Sequence, residues 1–200
     1  ITSTIAPVLT SVENVTIRST TGAGGINGGT ITFGAANSTG IKSVAFDQIV
    51  GVTGASALVA NNLDAGITSV GISKNATLAH TYTFTYADAA VSGTADTITL
   101  NATGNTTATG AVLVRGTTST STGAGAETIK IVTSGTGTTA ASTFASLLSA
   151  DGGGTTSVLK TLDISGTADL TITAAIDFAG TTSGTVTSAS SGKTTLNLSN

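Results

Sequence analysis

Any chemistry in this chain has to come from its carboxylates. There is no cysteine, so disulfides and thiol catalysis are both excluded. The one histidine, His80, lies in Leu78-Ala79-His80-Thr81, and a Ser/His/Asp triad would have to use it. No G-x-S-x-G motif accompanies it. His80 is therefore read as a surface or strand-end residue, and no enzyme is expected. The acids offer more. Asp151, Asp163, Asp169 and Asp177 gather toward the C-terminal end, and Asp88 and Asp96 flank one turn. Hard cations take carboxylate and carbonyl oxygens, which Gly/Asn/Asp turns supply, so calcium is the expected ligand of those four aspartates. The competing reading is that an aspartate at a turn simply hydrogen-bonds its own backbone.

The segment Asp151-Gly152-Gly153-Gly154 has the composition of a calcium β-roll turn but not the G-G-x-G-x-D-x-U-x order, and no tandem nonapeptide occurs. Ile26-Asn27-Gly28-Gly29 lacks the lysine and the βαβ context of a phosphate loop and reads as a turn. Six N-x-[ST] sequons fall at Asn14, Asn37, Asn75, Asn101, Asn105 and Asn197, as a chain this rich in serine and threonine will produce.

The elements that must position these residues are legible in a recurring apolar-x-apolar unit. It reads Val15-Thr16-Ile17, Val44-Ala45-Phe46, Val70-Gly71-Ile72, Ile98-Thr99-Leu100, Ile129-Lys130-Ile131, Leu162-Asp163-Ile164 and Leu196-Asn197-Leu198. The steps between units are 29, 26, 28, 31, 33 and 34 residues. A sustained period of that size marks a solenoid built coil by coil. The expected fold is all-β: a parallel β-helix with coils of roughly 26–34 residues over residues 1–200 as one domain. A β-sandwich is the alternative, but its strands recur every 8–12 residues.

Within the coils, second strands are expected at Ile31-Thr32-Phe33, Tyr82 to Tyr86, Ala111 to Val114 and Leu170-Thr171-Ile172. Strand alternation turns Val, Ile and Leu inward and threonine ladders outward. The narrow core is expected to favour small residues over aromatics. Gly22 to Gly29 and Gly152 to Gly154 read as turns. Two stretches read as short helical turns. Ala140 to Ala150 sets Phe144, Leu147 and Leu148 at i, i+3, i+4 behind Ser142 as an N-cap, and Ala55 to Ala65 carries Leu58 and Leu63.

Composition agrees with β-structure and removes other classes. The chain holds 44 threonines and 26 glycines, with 8% charged residues, a net charge of −3 and mean hydropathy of +0.37. Threonine, valine and isoleucine pack well on a pleated surface. Disorder requires the opposite balance of hydropathy and charge. Seven Lys+Arg give no basic stripe for phosphates, so no nucleic-acid partner is expected. No apolar run approaches the ~20 residues of a membrane span. Open end-coils are unpaired edges, so self-association through solenoid edges and faces is expected.

Thr143 to Thr173 (T-F-A-S-L-L-S-A-D-G-G-G-T-T-S-V-L-K-T-L-D-I-S-G-T-A-D-L-T-I-T) resembles the Ala/Thr/Gly-rich body of surface-layer proteins of Gram-negative bacteria. There an A-S-L-x-x-A-D lead precedes a T-L-x-I-S-G-x-A-x-[LV]-T-I-T strand pair. Ser11 to Ile17 (S-V-E-N-V-T-I) is similar to their I-E-x-[VL]-x-[VI] unit. The likeness covers about thirty residues closely and the rest in composition. It implies a structural subunit exported by type I secretion to the cell surface. Such a subunit assembles into a calcium-dependent extracellular lattice, with cell-surface polysaccharide or lipopolysaccharide as a further partner. The separate lipopolysaccharide-binding region and the glycine-aspartate repeats of that family are not recognisable here. A secreted adhesin or filament-forming β-helix domain is the alternative.

Overall fold

The computed structural model describes residues 2–20, 28–50, 54–74, 79–106, 109–117, 123–154, 156–180 and 184–198. Among them fifteen strands follow in chain order: β1 (Thr2–Ile5), β2 (Asn14–Thr20), β3 (Thr30–Gly34), β4 (Ser43–Val50), β5 (Ala57–Leu63), β6 (Ser69–Ser73), β7 (Thr81–Tyr86), β8 (Thr97–Thr103), β9 (Thr109–Gly116), β10 (Thr128–Thr133), β11 (Ser142–Ala150), β12 (Thr161–Gly166), β13 (Leu170–Ile176), β14 (Thr185–Ser190) and β15 (Thr194–Leu198). The one helical element described is a 3₁₀ turn at Asp88–Ala90.

Successive strands alternate between two sheets. The odd-numbered strands form one sheet in the order β1-β3-β5-β7-β9-β11-β13-β15, and the even-numbered strands the other, from β2 to β14. Every paired neighbour in these ladders is parallel. This is a two-sheet parallel β-solenoid, and a sandwich of antiparallel hairpins is excluded. The coil is elastic in length: Ala57 pairs with Thr81, 24 residues on, and Ala111 with Ser146, 35 residues on. The loops absorb the difference, so the ladders stay in register.

The first six apolar-x-apolar units lie on β2, β4, β6, β8, β10 and β12. Their inward rank runs Val15–Val44–Val70–Leu100–Ile131–Ile164. The register slips by two residues at β8, where Val70 meets Leu100 rather than Ile98; a two-residue slip preserves the inward face. The seventh unit, Leu196-Asn197-Leu198, is a correction, because it lies on β15 of the other sheet. The true continuation is β14, whose inward positions fade from Val186 to Ser188 and so escape an apolar pattern.

Both helical expectations are corrected. Ala55 to Ala65 contains β5, and Ala140 to Ala150 contains β11. Their i, i+3 spacing comes from irregular strands, not from helical periodicity. In β5, Ala60 and Leu63 face Phe84 and Tyr86, so β5 carries one extra residue; Asn62 takes a φ of 54° there. Gln48, at φ 52°, does the same in β4 and brings both Phe46 and Ile49 into the core. In β11, Phe144 aligns with Ile172 of the following coil while Leu147 aligns with Val112 of the preceding one. Ser142 is no cap: it is buried and accepts a hydrogen bond from Asn105 Nδ2 at 3.1 Å. The four expected second strands lie in β3, β7, β9 and β13.

The core runs between the two sheets along their length. Val44, Phe46, Ile98, Leu100, Leu162 and Ile164 are all buried, as their pattern predicts. Aromatics fill more of it than expected. Phe33, Phe46, Tyr82, Phe84, Tyr86 and Phe144 are all buried. Phe46 spans the gap, with ring centroids 5.8 Å from Tyr82 and 5.9 Å from Phe84 on the opposite sheet. The glycine turn at 152–154 is as expected, with Gly154 at φ 72°. Most of the Gly22–Gly29 stretch lies outside the described residues.

Candidate functional site

The four aspartates expected to hold calcium occupy separate turns and strands. Asp163 projects from the middle of β12, in register with Lys130, and accepts a hydrogen bond from Thr187 Oγ1 at 2.8 Å. Asp169 sits exposed in the turn between β12 and β13, where its Oδ1 accepts Lys193 N–H at 2.7 Å. Asp151 follows β11 and closes a turn: its carbonyl accepts Gly154 N–H at 2.8 Å. Asp177 follows β13 with its side chain exposed, and its carbonyl accepts Ser157 Oγ at 2.7 Å. Among the described residues no group of three or more His, Asp or Glu side chains converges as a metal-binding set. Three of these aspartates thus tie backbone or a neighbouring hydroxyl in their own and adjacent coils, the role an aspartate at a turn commonly takes.

A different aspartate holds the densest polar cluster. Asp47, near the end of β4 and buried at 6% exposure, faces the coils on both sides. Arg18 Nε donates to its Oδ2 at 2.5 Å from β2. Ser73 Oγ donates to Oδ1 at 2.5 Å from β6, and Lys74 Nζ lies 3.6 Å from the same oxygen. Burial alone would raise the Asp47 carboxyl. The Ser73 and Arg18 hydrogen bonds and the Lys74 and Arg18 charges outweigh it, and hold Asp47 below the usual carboxylate range. Asp47 is covered by Arg18, Ser73 and Lys74 of the neighbouring coils, a signal the alternating pattern of Val44-Ala45-Phe46 does not contain.

A second acid, Glu127, is buried in the position just before β10. Its Oε2 accepts Asp96 N–H at 2.8 Å, and its Oε1 lies 3.9 Å from Lys160 Nζ. Lys160 is more than half exposed, so this pair contributes little beyond orientation.

His80 is not at the surface. It stands just before β7, as a strand-end residue should, but is fully buried. Its Nδ1 accepts Ser56 N–H at 3.0 Å, which places the proton of the neutral ring on Nε2. Burial pushes its pKa down, opposed in part by the Ile49 carbonyl. The buried phenols of Tyr82 and Tyr86 are likewise pushed up by desolvation.

A groove of about 400 Å³ opens at the corner following β6, β8 and β10, lined by Lys74, Thr103, Gly104, Thr106, Thr136 and Thr139. Lys74 and Gly104 turn this corner at φ 55° and 66°. Among the sequons, Asn14, Asn37, Asn101 and Asn197 are exposed and Asn105 is fully buried, donating to the Ile72 carbonyl at 2.9 Å. Asn75 lies outside the described residues.

Among the described residues β1 and β15 each pair on one side, as do β2 and β14. The large exposed apolar side chains among the described residues are Ile5, Val8 and Leu198. No described helix is long and apolar enough to cross a membrane. Comparison with known proteins returns no matching family model, no matching curated protein and no matching solved structure.

Proposed function

We propose that this chain is a structural component of a bacterial surface layer, self-assembling outside the cell into a lattice with the help of calcium. The observation that supports the reading is the regular parallel solenoid, whose stacked coils repeat threonine at outward positions such as Thr2, Thr30, Thr4 and Thr32 and so offer a periodic surface for copies to pack against. The likeness of Thr143 to Thr173 to the body of surface-layer proteins supports the same reading. Calcium enters as a bridge between copies: Asp169 and Asp177 are exposed, and hard cations link carboxylates from different chains.

The test is light scattering of the purified chain titrated with calcium, then with chelator, with magnesium in parallel. The reading expects scattering that rises with calcium, falls with chelator, and is weak in magnesium. Scattering indifferent to all three overturns the calcium-dependent lattice.

A further inference from the structure

The groove beside Lys74 sits where connections of unequal length meet. The segment after β8 has five residues, 104–108, and lies between segments of seven after β6 (74–80) and eight after β10 (134–141). The short segment and the end of β8 supply Thr103, Gly104 and Thr106. The preceding coil contributes Lys74, and the following coil Thr136, Thr139 and Ala140. Backbone hydrogen bonds hold the three coils together here: Lys74 N–H donates to the Thr103 carbonyl at 2.8 Å, and Gly104 N–H to the Ala140 carbonyl at 2.9 Å. A Cβ on Gly135 would sit 2.6 Å from that of Ala140, so the absence of a side chain there lets the far wall close.

With that backbone engaged, recognition falls to side chains. The hydroxyls of Thr106, Thr136 and Thr139 are exposed and make no hydrogen bond among the described residues. Each can donate and accept. Their methyl groups and Ala140 give the groove its apolar surface. None of the lining residues is acidic. Lys74 brings the charge. Asp47 is its nearest acid, but Arg18 holds Asp47 Oδ2 and Ser73 donates to Oδ1. Lys74 Nζ lies 3.6 Å from Oδ1, on a side chain that is 59% exposed. A surface pair of that kind contributes little, so Lys74 can exchange Asp47 for another carboxylate at small cost. One carboxylate against two cations leaves this cluster net positive, in a chain of net charge −3.

We infer that the groove binds an acidic sugar: a ring with several hydroxyls and one carboxylate. Three features select that class. The volume of about 400 Å³ falls at the small end of ligand sites, ~300–1,000 Å³. Lys74 meets the carboxylate, and a neutral sugar would leave it unused. The three threonines meet the ring hydroxyls while their methyls face its C–H groups, and a bare inorganic anion would leave both unused. The site is complete within one chain, so the inference goes beyond the lattice reading and does not depend on it.

The experiment is two-dimensional NMR of the full chain, titrated separately with sodium glucuronate, glucose and inorganic phosphate. Glucuronate is expected to shift the amides of 103–106 and 134–140 saturably, at millimolar concentration. Glucose and phosphate should each bind about fivefold more weakly, the upper end for one exposed charged contact. Lys74→Asn should lose that same factor for glucuronate. Asparagine tolerates the φ of 55° that Lys74 holds, so the corner keeps its backbone. Lys130→Asn, on the open face of β10, should bind as the wild type does. If Lys74→Asn disturbs the Asp47 cluster, Thr139→Val removes one recognition hydroxyl and makes the same test. No saturable shift at the groove overturns the inference. So does glucose or phosphate that matches glucuronate, and so does a folded Lys74→Asn or Thr139→Val that binds glucuronate normally.

Discussion

Asp47 and His80 show how much a residue's environment decides that its identity does not. Each was one polar residue in an apolar context. Only the fold shows that Asp47 is clamped by Arg18, Ser73 and Lys74 from two neighbouring coils, and that His80 is sealed against Ser56. Both titrate in the same direction for stability. Asp47 is held below its ordinary 3.8, so its contribution is complete above that pH and is lost as pH falls through the lower folded value. His80 is held below its ordinary 6.5, so the folded protein prefers the neutral ring, and stability declines as pH falls below 6.5. His80→Asn keeps an acceptor for Ser56 and cannot be protonated. Its melting temperature should be flatter than the wild type's between pH 7 and pH 5, and an equal slope in both would remove His80 from the acid limb. Asp47→Asn should lower stability at pH 7 by about 1–2 kcal/mol, the scale of charge-assisted hydrogen bonds with half-exposed partners. Denaturant unfolding reads the difference. At Ile164, fully buried in β12, aspartate would be an unpaired charge and should cost several kcal/mol. Unchanged melting of Ile164→Asp would contradict the inward assignment of that rank.

At the scale of elements, β2 through β12 of the even sheet were legible, whereas β14 was not and β5 and β11 read as helical turns. Apolar-x-apolar units declare β2 through β12 because their alternation is regular. β5 hid because a bulge turns a period of two into a step of three, which imitates a helix; in β11 the buried positions step by three from Phe144 to Leu147 while its pairing with β9 stays in register. Ala60 to Leu63 and Phe144 to Leu147 are such steps, and nothing local distinguishes them from i, i+3. Positive φ marks the bulges at Asn62 in β5 and Gln48 in β4. Gln48→Val would place a β-branched side chain at φ 52° and should destabilise by about 1–2 kcal/mol, whereas Gln48→Gly should stay within about 0.5 kcal/mol of wild type. The corner after β12 is stricter. Gly166 has φ 117°, and a Cβ there would sit 1.9 Å from the Thr133 carbonyl oxygen. Gly166→Ala should cost more than about 2 kcal/mol and loosen the β10–β12 ladder. Hydrogen exchange concentrated in those two strands would locate the damage.

For the whole molecule, the solenoid architecture followed from the period, because each coil must rejoin the last whatever its loop does. Loop elasticity explains why the period is loose: the coil closes on its ladders, not on a fixed length. What the period could not show is which strand belongs to which sheet, and so which outward positions stand side by side. The expected metal ligands were the least legible part. Aspartates close in sequence fall on different parts of the coil, Asp163 within β12 and Asp169 in the turn after it, so proximity along the chain is no guide to convergence. Electron microscopy of the purified chain, in calcium and then in chelator, tests the assembly account most directly. Ordered sheets that dissolve on chelation are the predicted result. Dispersed single particles under both conditions would contradict it.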